Sequence, residues 1–228
     1  MMRDRALFLD RDGTLVQPRH YPTRPEDLCV YPGIGRELRR LQEAGFKLVV
    51  ITNQSGLARD LFTNADLRRM HAYLIAELAR SNVRLDGIYY CPHHPDGVIP
   101  DLAIRCRCRK PEPGMLLQAA ADLGLDLADS WVVGDILDDV EAGNRVGCRS
   151  ILVDLGTEPL PDRPTRRPDF VARDTRYALR MIQAVEQCGP AVDLTYCPRS
   201  WQPAVGALTT REACVSRRIT GETHACRG

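Results

Sequence analysis

Two aspartates separated by one residue, Asp10 and Asp12, follow a short apolar run near the beginning of the chain. Side chains two positions apart in an extended segment lie on the same side of it, so both carboxylates can converge on one point. Carboxylates held that close repel each other unless a cation or a shared proton lies between them. A hard divalent ion such as Mg²⁺ prefers oxygen ligands and often binds phosphate oxygens as well. The pair alone fits either a metal site or an acidic strand end before a turn at Gly13.

Other polar groups follow later apolar runs. Thr52 ends one such run, and Asp135 comes directly after another. Arg109 and Lys110 precede a predicted helix and supply fixed positive charge. A carboxylate nucleophile surrounded by further carboxylates, a hydroxyl donor and a cation has what transfer of a phosphoryl group to an aspartate requires. These residues therefore predict a phosphoryl-transfer site with Mg²⁺.

A second group of residues in the middle of the chain has the composition of a metal site. Its members are Cys91, His93, Cys106 and Cys108, with twelve residues between the two pairs. Three thiolates and one imidazole make a closed tetrahedral Zn²⁺ site of the structural kind. Zinc would fold a loop, residues 91–108, that has few apolar residues of its own. His94 is a competing ligand, and a cysteine-rich loop without metal is the alternative.

The elements that must position these groups alternate along the chain. Apolar runs predict strands, and helical spacing of apolar residues predicts helices. The strands are predicted at 6–9, 46–52, 85–91, 130–134, 150–153 and 169–171, and the helices at 34–44, 65–80, 115–123, 138–145 and 177–187. This alternation predicts an α/β fold with a doubly wound, Rossmann-like, mostly parallel sheet. Ligands bind beyond the carboxyl ends of the strands in such sheets, which is where the polar groups fall.

Four segments, in this order, resemble the four motifs of haloacid dehalogenase-type phosphatases. They are Asp-Arg-Asp-Gly-Thr at 10–14, Thr-Asn at 52–53, Lys-Pro at 110–111 and Gly-Asp-x-x-x-Asp at 134–139. The resemblance implies that Asp10 attacks phosphorus to form an aspartyl-phosphate and that Asp12 is the general acid and base. It implies that Thr52 and Lys110 hold the phosphoryl oxygens. Mg²⁺ would bind Asp10, Asp12 and Asp135, with Asp12 offering its backbone oxygen.

Further segments resemble one group within that superfamily. Cys-Pro-His-His-Pro at 91–95, Cys-x-Cys-Arg-Lys-Pro at 106–111 and Thr-Asn-Gln-Ser-Gly at 52–56 resemble heptose-bisphosphate phosphatases of lipopolysaccharide and nucleotide-heptose synthesis. They are similar, almost as closely, to histidinol-phosphate phosphatases that share the zinc loop. The resemblance covers about residues 5–187. It implies substrate contacts at Arg19, His20, Tyr21, Asn53, Gln54, Ser55 and Arg109, although His20 and Tyr21 have loop packing as an even alternative.

The implied activity is Mg²⁺-dependent release of the 7-phosphate of D-glycero-D-manno-heptose 1,7-bisphosphate. Histidinol phosphate or another small sugar phosphate is the alternative substrate, and a zinc-loop binding module is the alternative without enzymatic activity. Ile136 departs from the heptose enzymes, in which Lys commonly follows the aspartate of the fourth motif. The substrate and the preferred anomer are therefore left open by the sequence.

Composition sets the remaining expectations. The 228 residues are 44% hydrophobic and 27% charged, with a formal net charge of +1, which excludes a strong field for nucleic acid. No apolar run is long enough to span a membrane, and the first residues lack the apolar segment of a secretory signal, so a cytoplasmic monomer is expected. One phosphatase domain over 1–188, without a large cap domain, and a tail over 189–228 are predicted.

Four single residues carry further expectations. Arg11 is expected to bond solvent or backbone, and His71 is expected to lie at the surface. Trp131 is expected in the core, and Asp139 is expected to orient Lys110 or Mg²⁺.

Overall fold

A single six-stranded sheet organises residues 4–188, the part of the chain that the computed structural model describes. Its strands are β1 (Asp4–Leu9), β2 (Phe46–Asn53), β3 (Gly87–Cys91), β4 (Leu125–Gly134), β5 (Arg149–Val153) and β6 (Phe170–Ala172). Their order is β3-β2-β1-β4-β5-β6, and every neighbouring pair is parallel. The predicted α/β class with a parallel, doubly wound sheet is confirmed. The tail predicted at 189–228 lies outside the described residues.

Helices cover both faces of the sheet. They are α1 (Ile34–Glu43), α2 (Asn64–Ala79), α3 (Gly114–Leu123), α4 (Leu137–Asn144) and α5 (Thr175–Cys188). The side chain of Thr63 accepts a hydrogen bond from the backbone of Asp66, whose carboxylate accepts one from the backbone of Thr63, and this capping box begins α2. Within residues 4–188 no segment forms a separate cap domain. None of the described helices is both long and apolar enough to cross a membrane.

The central strand β1 divides its side chains between two cores. Leu7 and Leu9 pack in the larger core, together with apolar side chains of α1, α2 and α5. Ala6 and Phe8 pack in the smaller core, together with side chains of α3 and α4. Because both faces of β1 are buried, its sequence reads as a continuous apolar run rather than as an alternation. Trp131 of β4 is also buried, as predicted.

Strand β4 begins five residues before the predicted start. Its first residues pair with the beginning of β1, Asp4 opposite Leu125, and the register shifts before Leu7 pairs with Trp131. At this irregularity the backbone N–H of Ala6 donates to Oγ of Ser130 at 2.9 Å. Among the added residues, Leu125 to Asp129, only Leu125 is buried and two are acidic, so apolar patterning predicted only the buried half of the strand.

Candidate active site

Two neighbouring strands and one helix bring three carboxylates together, and we call them the carboxylate cluster. Asp10 follows β1 and Asp135 follows the adjacent β4, and the backbone N–H of Asp10 donates to the carbonyl of Val133 at 3.0 Å. Asp139 lies one helical turn further on, in α4. Each of the three offers an oxygen within 4.8 Å of the others. All three residues are buried.

Glycines permit this close approach. The backbone of Gly13 has φ of 88°, in the left-handed region, and a Cβ there would collide with the carboxylate of Asp135. A Cβ at Gly134 would in the same way collide with Asp139. The hydroxyl of Thr14 donates to Oδ1 of Asp135 at 3.2 Å and fixes that carboxylate. The Asp-Gly-Thr and Gly-Asp segments therefore shape the cluster as well as supplying its acids.

Lys110 is the positive partner of the carboxylate cluster. Its Nζ lies 2.6 Å from Oδ1 of Asp10, forms an ion pair with Asp139, and donates to the carbonyl of Ile51 at 2.9 Å. The side chain of Asn53 holds the backbone of Lys110 in place. It accepts from the backbone N–H at 3.1 Å and donates to the backbone carbonyl at 3.2 Å.

Burial raises the pKa of two members of the carboxylate cluster. The pKa of Asp10 rises to about 7 and that of Asp135 to about 8, because burial penalises the charged form and the neighbouring carboxylates repel it, while Lys110 acts in the opposite direction. Burial works against the charge of Lys110, but the carboxylates of Asp10 and Asp139 outweigh it and raise the pKa of that amine. A set of hard oxygen donors with excess negative charge fits a divalent cation such as Mg²⁺.

Asp12 lies next to the carboxylate cluster but its side chain has different partners. Nε of Arg11 donates to Oδ1 at 3.2 Å, and Nη2 donates to Oδ2 at 2.7 Å. Nε2 of Gln54 donates to the same Oδ2 at 3.1 Å and to Oγ1 of the buried Thr52 at 2.8 Å. The expectation that Arg11 bonds solvent or backbone is wrong, because its guanidinium is buried and paired with a side-chain carboxylate.

Most of the residues expected to contact substrate line one pocket of about 230 Å³ beside Asp12. They are Arg19, His20, Tyr21, Asn53, Gln54 and Ser55. The hydroxyls of Tyr21 and Ser55 are 3.4 Å apart and link the two loops that form the rim. Arg109 lies elsewhere, with its Nη1 donating to the carbonyl of His93 at 3.4 Å. Ile136 provides the residue before α4, and its backbone N–H donates to Asp139.

The four predicted zinc ligands form a second compact group, which we call the thiol cluster. Their donor atoms all lie within 4.8 Å of one another. The sulfur of Cys108 is 3.2 Å from that of Cys91 and 3.3 Å from that of Cys106, and all three cysteines are free thiols. Nδ1 of His93 is 3.3 Å from the sulfur of Cys108. Three sulfurs and one imidazole nitrogen in this arrangement fit tetrahedral Zn²⁺.

The structure also separates the two neighbouring histidines. His94 turns away from the thiol cluster, and its ring nitrogens lie 3.2 and 3.3 Å from Nη2 of Arg59. Of the two candidates, His93 is therefore the one whose ring joins the three cysteines. The backbone N–H of Arg109 donates to the sulfur of Cys106 at 3.3 Å, so the cluster leads directly into the segment that carries Lys110.

His71 was predicted at the surface, but the structure places it half-buried. Its Nε2 is buried without a hydrogen-bond partner within residues 4–188, and its ring lies 5.8 Å from that of Tyr90. Burial, followed by the charge of Arg11, lowers the pKa of His71 to about 4. The sequence could have indicated this burial, because His71 lies four residues after Leu67 and therefore next to the apolar face of α2.

Comparisons with known proteins show which proteins this chain is similar to. A family model described as HAD-hydrolase-like matches residues 107–178. A D-glycero-beta-D-manno-heptose-1,7-bisphosphate 7-phosphatase of Escherichia coli strain K12 is 43% identical over 168 residues, which cover 73% of this chain and 87% of the relative. The Yersinia pestis protein of the same name is 42% identical over 155 residues, 68% of this chain and 79% of the relative.

A solved structure gives the same result at the level of the fold. The D,D-heptose 1,7-bisphosphate phosphatase of B. bronchiseptica, crystallised with magnesium and phosphate, superposes with a TM-score of 0.67 and 33% identity. The match covers 78% of this chain and 98% of that structure.

Proposed function

Because the chain belongs to the haloacid dehalogenase-type phosphatases, in the family of the heptose-bisphosphate phosphatases, we propose that it removes the 7-phosphate of D-glycero-D-manno-heptose 1,7-bisphosphate. The reaction is hydrolysis of a phosphoric monoester, and it proceeds through an aspartyl-phosphate. The observation that carries this proposal is the contact between Lys110 and Asp10 inside a cluster of three buried carboxylates.

In the first half of the proposed reaction, a carboxylate oxygen of Asp10 attacks phosphorus. The new bond joins that oxygen to phosphorus, and the bond from phosphorus to the leaving sugar oxygen breaks. Asp12 donates its proton to that leaving oxygen. Lys110 and the hydroxyl of Thr52 stabilise the charge on the phosphoryl oxygens. The position of Lys110 2.6 Å from Oδ1 of Asp10 supports this role, because the cation also orients the attacking group.

In the second half, water attacks the phosphorus of the aspartyl-phosphate. Asp12, now a carboxylate, takes a proton from that water, and the carboxylate of Asp10 is regenerated as inorganic phosphate forms. The opening of Asp12 toward the pocket lined by Tyr21 and Ser55 supports its role, since both the leaving sugar and the entering water need access to it.

Mg²⁺ would be held by Asp10 and Asp135, with the backbone oxygen of Asp12 as a further ligand. When bound, the ion would neutralise negative charge on the transferred phosphoryl group. Asp139 lies in the same cluster and pairs with Lys110, so its role is to orient that amine. Three buried carboxylates with one lysine between them support a cation here, and burial together with the neighbouring carboxylates raises the pKa values of Asp10 and Asp135.

Zn²⁺ is the proposed structural ion of the thiol cluster, bound by Cys91, His93, Cys106 and Cys108. Its four protein ligands would leave no position for substrate. It would fix the loop that ends in Arg109 and Lys110, and Arg109 is proposed to contact substrate from that side. This division gives the two clusters different tasks, one chemical and one architectural.

The proposed substrate has alternatives among other small phosphorylated compounds. Histidinol phosphate and other small phosphorylated compounds would fit a site that, within the described residues, has no separate cap domain over it. Ile136 introduces an apolar side chain where the heptose enzymes commonly carry Lys. A comparison of kcat/KM across both anomers of the heptose bisphosphate, histidinol phosphate and simple sugar phosphates ranks these candidates.

The mechanism is tested by Asp10→Asn, with Asp138→Asn as the matched control. Asp138 is a nearby aspartate of α4 that pairs with Arg166 at 2.8 Å, outside the carboxylate cluster. We expect D10N to lose at least about 10³-fold in kcat while D138N stays within about threefold of the wild type. Mass spectrometry of quenched wild-type enzyme should detect a phosphoryl adduct on Asp10. Hydrolysis retained by D10N would exclude the mechanism and favour a zinc-loop binding module.

A further inference from the structure

Arg11 is a buried charge whose partners are unusual. Its side chain is only 1% exposed, and removing a guanidinium from water is costly unless the group is paired. Two of its nitrogens donate to Asp12, the next residue along the chain, and one of these also donates to Oε1 of Gln54 at 3.1 Å. The third nitrogen, Nη1, is buried without a hydrogen-bond partner among residues 4–188.

Two ion pairs of other buried carboxylates in residues 4–188 have a different character. Glu141 pairs with Arg163 at 2.8 Å, and Glu37 pairs with Arg180 at 3.0 Å. These pairs join residues that are 22 and 143 positions apart, so they tie separate elements together. A pair between neighbouring residues ties no distant elements together. What the guanidinium of Arg11 fixes is the orientation of one side chain, the carboxyl group of Asp12.

The side chains that donate to the Asp12 carboxyl group lie on its buried side. Arg11 approaches the carboxyl group from the protein interior, and Nε and Nη2 together hold both of its oxygens. Gln54 holds Oδ2 from the same buried region. The Asp12 side chain nevertheless remains 28% exposed, on the side of the pocket lined by Tyr21 and Ser55. The planar fork of an arginine can set the plane of a carboxyl group in a way that a lysine amine cannot.

We propose that Arg11 is a positioning residue that aims Asp12 at the oxygen of the leaving group. The inference rests on the proposed function, since it assigns a task to Arg11 within that reaction. As the bond between phosphorus and the leaving oxygen breaks, the proton passes from Asp12 to that oxygen. Arg11 and Gln54 then donate to the carboxylate that remains, and both keep their own protons throughout. A carboxyl group free to rotate would deliver the proton less often.

Dependence on the leaving group distinguishes this role from a purely structural one. A sugar or alkyl oxygen needs a proton as it departs, whereas a nitrophenolate departs without one. We therefore compare Arg11→Lys with the wild type on every phosphate ester that the wild type hydrolyses, from alkyl and sugar to phenyl and nitrophenyl esters. The R11K variant should lose about 10²-fold in kcat on sugar and alkyl phosphates and less than about threefold on the most acidic leaving group.

Two controls accompany this experiment. Arg163→Lys alters an ion pair of Glu141 and should reduce activity on all esters equally or not at all. Adding R11K to Asp12→Asn should cause little further loss on sugar phosphates, because the residue that Arg11 positions is already disabled. Should R11K not fold by circular dichroism, Arg11→Gln carries the test, since it also removes the guanidinium fork that holds both oxygens of the Asp12 carboxyl group.

The outcomes distinguish the role of Arg11 from the proposed function. An equal loss on all leaving groups, or no loss on sugar phosphates, in R11K or in its substitute R11Q overturns the role of Arg11 and leaves the proposed function standing. A wild-type protein that hydrolyses no phosphate ester contradicts the proposed function itself. A loss confined to esters with basic leaving groups supports the positioning role.

Discussion

The carboxylate cluster and the thiol cluster are linked through Lys110, which follows Cys108 by two residues and pairs with Asp10, but the two clusters are built in different ways. Asp10 and Asp135 follow β1 and β4, which are central strands buried between two apolar cores. The thiol cluster begins at Cys91, where β3 ends, and β3 is the first strand of the sheet order. Its other ligands lie in a loop whose regular structure, within residues 92–113, is one short 3-10 helix, Pro100–Leu102.

This difference predicts what each ion would contribute. Apolar packing holds the strand ends of the carboxylate cluster in place, so Mg²⁺ would act there through charge and chemistry. The loop of the thiol cluster has few apolar contacts of its own, so binding of Zn²⁺ would supply much of its folding free energy. A change in the first cluster should therefore reduce activity at nearly constant stability, and a change in the second should reduce both.

Lys110→Met tests the first half of this comparison and should have the largest effect. The variant removes the cation beside Asp10 while keeping much of the side-chain volume, so kcat should fall by about 10³-fold with the circular dichroism spectrum unchanged. Lys47→Met is the matched control, because Lys47 pairs with Asp4 and Asp86 away from the site. A K110M variant with near wild-type kcat would show that the phosphoryl group binds elsewhere.

Cys91→Ser tests the second half. The variant removes a zinc ligand, and the melting temperature should fall by about 10 °C or more, which corresponds to roughly 3 kcal/mol for a domain of this size. Zinc measured by atomic absorption should drop from about one ion per chain. Cys148→Ala is the control, since Cys148 is a buried thiol outside the cluster. If C91S keeps its zinc and its melting temperature, the thiol cluster is not a zinc site.

A smaller effect is expected in the pH dependence of stability, through His71 of α2. The pKa of His71 is about 4 in the folded chain and about 6.5 when unfolded, so between these values the unfolded chain binds the proton first. The contribution of neutral His71 is present above pH 6.5 and is lost as the pH falls toward 4. By pH 5 about 2 kcal/mol of this stability has been lost. Denaturation of His71→Phe should therefore show a smaller loss of stability between pH 7.5 and 5 than the wild type. An equal loss in both proteins contradicts this assignment.

The sequence predicted the sheet and the helices because each depends on local spacing. It also predicted that Asp10 and Asp135 follow strands, whereas Asp139 was expected only to orient Lys110 or Mg²⁺ and lies in the carboxylate cluster itself. Apolar runs reveal buried parallel strands, and a motif such as Cys91-x-His93 brings its own ligands together. Side-chain partners across the fold are less predictable. The burial of Arg11 depends on Gln54, 43 residues away, and nothing in the segment around Arg11 indicates that contact. The choice between His93 and His94 likewise depends on Arg59, which no local pattern connects to them.

Tyr21→Phe should have the smallest effect and distinguishes the rim of the pocket from the carboxylate cluster. The variant removes the hydroxyl that lies 3.4 Å from Oγ of Ser55 and keeps the ring. A single neutral hydrogen bond contributes about 1 kcal/mol, so KM should rise by roughly threefold to fivefold with kcat unchanged. Tyr177→Phe, whose ring packs under Arg173 away from the pocket, is the control. An unchanged KM would assign Tyr21 to loop packing, whereas a tenfold fall in kcat would extend the reacting region from Asp12 to the rim.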